Sequence, residues 1–139
     1  MDGEQGTRLV WLKVLYWYTV LGAGLAGLLI LLAPAAFAKA LGMPGQDPFI
    51  VGVAGSMWLS LGLVAVLGLG SPLAFAPIFL VQLGYKVLWL ACVFLPHALR
   101  GALPFYSWVL AAIFVSYIPL DLVAIPFKRL RAGNEIGIR

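Results

Sequence analysis

An amide and an amine one helical turn apart, Gln82 and Lys86, interrupt an apolar run that carries no other charge between Pro72 and Pro96. Tyr117 and Asp121 repeat the spacing in the last apolar run, and Ser56 and Ser60 repeat it in the second. Residues four apart share a helix face, so each pair presents two polar groups in one direction. An amine among a carboxamide, a phenol and a carboxylate could bind the polar end of a lipophilic molecule, relay a proton, or join helices by hydrogen bonds. A charged group deep in a membrane costs about 2.5–3.5 kcal/mol on insertion scales, so Lys86 is a functional-site candidate by default.

The elements that must hold these residues are membrane helices. The chain has 139 residues, 63% hydrophobic and 10% charged, far outside the range of soluble globular chains. At about 1.5 Å per residue, each of four apolar runs can cross a hydrocarbon core of about 30 Å. They cover approximately residues 9–33, 48–69, 72–96 and 104–127. The expected fold is all-α: an integral membrane four-helix bundle with antiparallel neighbours, one membrane domain over residues 1–139.

Local signals set the ends. Met1 to Leu9 reads as a short exposed tail; Lys13 snorkels from the start of the first run beside the aromatic belt of Trp11, Tyr16, Trp17 and Tyr18. Pro34 to Gln46 is a connection, with a short interfacial helix over Ala35 to Leu41. Asp47-Pro48 and Ser71-Pro72 each read as an N-cap followed by proline at the first helical position, which makes the second and third helices a hairpin. Gly52, Ser56 and Ser60 form a small-residue stripe suited to close helix approach. Pro119 removes one hydrogen bond inside the fourth helix. Arg8, Lys13, Lys128, Arg129, Arg131 and Arg139 gather at the two ends, against only Lys39 and Arg100 in the opposite connections. The positive-inside rule then places both termini in the cytoplasm.

Counted from the cytoplasmic ends, Gln82 lies about 15 Å deep, Lys86 about 21 Å and Asp121 about 9 Å. Tyr18-Gly22-Ala26 on the first helix could join the other three faces in one polar layer. The depths argue against a direct Lys86–Asp121 pair; a bridge or an uncharged amine would then serve. Each candidate has a plainer reading: Gln82 and Lys86 as hydrogen-bonded glue, Asp121 as a near-interface partner of Lys128 or Arg129, His97 as a loop residue, Cys92 as an apolar filler, and Trp58, Trp89 and Trp108 as packing or interface anchors.

The sequence speaks against several classes. One cysteine and one histidine give no disulfide, CxxC or multidentate metal set, so no metal or cofactor is expected. No basic stripe interleaved with aromatics points to nucleic acid. GxSxG, HExxH and Walker motifs are absent, and Asp121 has no second intramembrane carboxylate.

From Leu32-Ala33-Pro34 through Leu41-Gly42-Met43-Pro44 and into the glycine- and serine-bearing second helix, the chain resembles the small DoxX-like four-helix bacterial membrane proteins. The resemblance covers about half the chain and implies a four-helix bundle; some members are associated with quinol-oxidising respiratory complexes. It carries no functional residue over. The first expectation for function is a non-enzymatic accessory or stabilising subunit of a larger membrane assembly, in contact with the lipid bilayer and with other subunits or further copies of itself. The alternatives are a binding protein or enzyme for a lipophilic quinone- or sterol-like molecule, with Gln82, Lys86, Tyr117 and Asp121 lining the pocket, and a proton- or ion-coupled transporter.

Overall fold

The computed structural model describes residues 2–101, 103–125 and 127, with side chains described from Gly6 onward. All regular structure among them is helical, and four helices are long and apolar enough to cross a membrane: Gly6–Leu32, Pro48–Gly70, Pro72–Leu99 and Phe105–Ala124.

Helix α1 begins at Asp2, so the expected N-terminal tail is instead the first turns of the helix. It runs as Asp2–Thr19, widens into a π turn over Val20–Gly24, and resumes as Leu25–Leu32. Pro34 stops it and opens the short α2, Pro34–Ala40, as the proline signal implied. Gly42, at φ 63°, turns the chain out of α2 in a conformation that disfavours side chains.

Helix α3, Pro48–Gly70, starts where Asp47-Pro48 directs it. The Asp47 carboxylate accepts from the Phe49 and Ile50 amides at 2.9 and 3.0 Å, satisfying donors that a helix start leaves free. Ser71 is the whole reversal into α4, Pro72–Leu99. Its hydroxyl makes no cap bond, contrary to expectation; its backbone carbonyl accepts from Ala74 instead. Helix α4 is interrupted at Ala76–Pro77 and carries a second π turn over Leu90–Phe94. Pro96 was expected to end this helix. It continues to Leu99, because a wider turn relieves the hydrogen bond that proline cannot make. Helix α5 spans Phe105–Ala124 with Pro119 inside.

Helix α1 contacts α3 along most of its length and α5 on another side, while α4 packs mainly on α5. The α3–α4 pair is joined by one residue yet has few contacts beyond the turn. The α1–α3 seam is made by glycine. A methyl added at Gly24 would lie 3.1 Å from Gly62 Cα, and one at Gly27 would lie 2.6 Å from the Gly55 carbonyl oxygen. Close backbone approach of this kind is what small residues give to membrane helices. The expected stripe is therefore corrected: Ser56 and Ser60 are exposed, nothing lies within 4 Å of a methyl built on Gly52, and the seam is carried by Gly55 and Gly62 on another face.

At one end of the molecule Leu12, Leu15, Tyr16, Ala65, Ala76, Phe79, Ala124 and Ile125 form an apolar core. The Tyr16 hydroxyl donates to the Pro72 carbonyl at 2.8 Å and ties α1 to the start of α4.

Candidate functional site

Four of the seven residues singled out from the sequence come together, and they do so completely buried. Lys86 is 1% exposed, Tyr117 2%, and Gln82 and Asp121 0%. Gln82 and Lys86 face inward from α4 because their turn of helix meets α5 there, and Asp121 meets them from α5, one turn beyond Tyr117. Asp121 is buried against α4, and Lys128 and Arg129, its alternative partners, lie outside the described residues.

Neither the Lys86 amine nor either Asp121 carboxylate oxygen has a hydrogen-bond partner. Three rings surround the amine instead: Nζ lies 3.8 Å from the Tyr117 ring centre, 4.9 Å from that of Tyr85 and 6.0 Å from that of Phe114. Such cation–π contacts gain strength out of water. Gln82 is held on one side, its Oε1 accepting from the Thr19 hydroxyl at 3.2 Å, while its Nε2 has no partner.

Tyr18 is half-buried at the edge of this layer. Its ring stacks on Tyr117 with centres 4.2 Å apart, and its hydroxyl is hydrogen-bonded to Ser116 at 2.7 Å. The Tyr117 hydroxyl donates to the Tyr18 carbonyl at 2.9 Å, just before the π turn of α1, and lies against Gly22 within that turn. A β-carbon at Gly22 would collide with the phenol oxygen, so this glycine makes room for Tyr117. Wide turns of this type are frequent at functional sites.

Ser56 and Ser60 do not belong to the layer. The Ser60 hydroxyl donates to the Ser56 carbonyl of its own helix at 2.8 Å, which lets it face outward without an unpaired polar group. Cys92 is exposed, so it fills no core position. His97 is exposed as expected but lies in the last turns of α4 and not in a loop, with its Nδ1 hydrogen-bonded to the Val93 carbonyl at 2.8 Å.

Directly beside Lys86 is a cavity of about 150 Å³, partly open, whose wall is almost wholly apolar. Gly22 and Ala26 of α1, Phe37 and Leu41 from α2 and its end, Trp58 of α3, Tyr85 and Lys86 of α4, and Phe114 and Tyr117 of α5 are among its lining. The Lys86 amine is itself covered, so the stem of the side chain is what meets the cavity. Phe114 is the hub of the aromatic wall, edge-on to Tyr85 at 5.7 Å, Trp89 at 5.1 Å and Trp58 at 6.3 Å.

Thr19 and Phe114 were not foreseen. Thr19 could have been found from the inward stripe Leu12–Tyr16–Thr19–Ala23, spaced three and four apart. Phe114 has no such signal among so many apolar neighbours. Among the described residues no group of acidic, histidine and cysteine side chains could hold a metal ion. No protein-family model, curated protein or solved structure matches the chain.

Proposed function

We propose that this chain is a four-helix bundle of the bacterial cytoplasmic membrane, with antiparallel neighbours and both termini inside, that binds a lipophilic small molecule by inserting its ring end into the cavity beside Lys86. The cavity carries this reading. An apolar cavity of about 150 Å³ accommodates a benzene-sized guest. A single six-membered ring therefore fits, with a tail leaving through the open side, whereas the fused rings of a sterol exceed the space. Among the expected ligand classes this favours the quinone-like one.

The wall supplies apolar area from Ala26 and Leu110 and ring faces from Trp58, Tyr85 and Phe114. Aromatic rings prefer offset or edge-on partners, and Tyr85 and Trp58 already stand edge-on to Phe114 around the space. The role of accessory subunit has no comparable feature behind it, since exposed apolar faces are what any membrane-spanning helix offers to lipid.

The test is titration of the protein in lipid nanodiscs with decyl-substituted benzoquinone, read by quenching of tryptophan fluorescence, since Trp58 lines the cavity. Saturable quenching that cholesterol does not compete away is the expected result. Linear, unsaturable quenching would remove the support for a binding site.

A further inference from the structure

Beneath the cavity, four polar atoms take part in no hydrogen bond: Gln82 Nε2, Lys86 Nζ and both carboxylate oxygens of Asp121. Leaving such atoms unpaired in a buried site costs about 1–3 kcal/mol each, and more when they are charged. Ring binding to the cavity wall makes no use of them. The other titratable side chains facing this region are Tyr16 and Tyr18 on α1, Tyr85 on α4 and Tyr117 on α5; α3 has none between Pro48 and Gly70. The hydroxyls of Tyr16, Tyr18 and Tyr117 are committed to Pro72, Ser116 and the Tyr18 carbonyl. Among the described residues, Lys86 and Asp121 are the buried titratable groups left without a hydrogen bond.

Resting on the cavity reading above, we propose that Lys86 and Asp121 together accept one proton from a hydroxyl on the bound ring, so that the ligand class is a weakly acidic single-ring molecule, a phenol or a hydroquinone. Lys86 already lines the cavity, and its amine is held by no hydrogen bond. In the step, the ring O–H bond breaks and the proton joins the Lys86–Asp121 pair. The pair passes from neutral overall to singly positive and the ring becomes a phenolate. No electron moves and no co-reactant is needed. The two charges form next to one another, which matters where water cannot screen them. Gln82, fixed through Thr19, keeps its amide nitrogen free in the same layer.

Para-nitrophenol tests this directly, because its phenol and phenolate forms absorb at different wavelengths. Wild-type protein in nanodiscs is titrated at a pH where the free probe is mostly neutral, with para-nitroanisole, which has no proton to give, as a second probe. The expected result is phenolate absorption from bound para-nitrophenol, reduced at least about tenfold in both Lys86→Met and Asp121→Asn, while Asp121→Asn still binds para-nitroanisole. Bound para-nitrophenol that stays protonated, or phenolate that persists in both variants, overturns the proposal and leaves the cavity reading standing. Absence of binding by both probes and by the benzoquinone overturns both.

Discussion

Among the described residues, the Thr19–Gln82 hydrogen bond is the one side-chain hydrogen bond between α1 and the polar pair on α4. Thr19→Val would strip the Gln82 carbonyl of its donor while keeping the shape of the residue. The expected cost is about 1–2 kcal/mol, measured by equilibrium unfolding in mixed detergent micelles. Adding Gln82→Leu removes the stranded amide as well, so the double variant should recover most of that loss. If the two changes simply add, the bond is not what couples these positions. At this scale the sequence was informative wherever a polar residue stood in an apolar run, as at Gln82, Lys86 and Asp121. It was misleading where the residue can satisfy itself: Ser60 bonds its own helix and faces outward. It was silent on Phe114, whose importance lies in its neighbours and not in its type.

Helices α1 and α3 meet through backbone, and the relevant glycines are separable by experiment. A β-carbon at Gly62 would collide with the Gly24 backbone, which has no side chain to swing aside. Gly62→Ala is expected to destabilise by about 1–3 kcal/mol through overpacking. Gly52→Ala meets nothing within 4 Å and should be neutral or gain up to about 1 kcal/mol of helix propensity. Thermal unfolding of the two variants side by side distinguishes this seam from the Gly52–Ser56–Ser60 stripe. The helix starts at Pro34, Pro48 and Pro72 were legible because prolines and the Asp47 cap act locally, whereas the start at Asp2 and the passage through Pro96 were not. The choice of seam was not, because α3 carries small residues on several faces and only the partner selects one. The π turns at Val20–Gly24 and Leu90–Phe94 have no local sequence signature either.

For the whole molecule, hydropathy and length were enough to find four helices long and apolar enough to cross a membrane, since a bilayer imposes one thickness on all of them. The cavity was beyond reach, because it exists only where α2 folds Phe37 and Leu41 back over the space between α1, α4 and α5. The proposed topology rests on charge, and it predicts that in a Cys92→Ser background Gly45→Cys and Arg100→Cys react with an impermeant maleimide added outside intact cells while Gly6→Cys does not. The reverse pattern would invert the orientation.

Ring binding in the cavity is the central claim, and filling the cavity tests it most directly. Ala26 lines the space from α1 and is half-buried, so Ala26→Phe places a ring where the ligand's ring belongs. Comparison of decyl-benzoquinone isotherms for wild type and Ala26→Phe should show affinity weakened at least about tenfold, or ~1.4 kcal/mol. Equal affinity in a variant that still unfolds cooperatively would contradict the account.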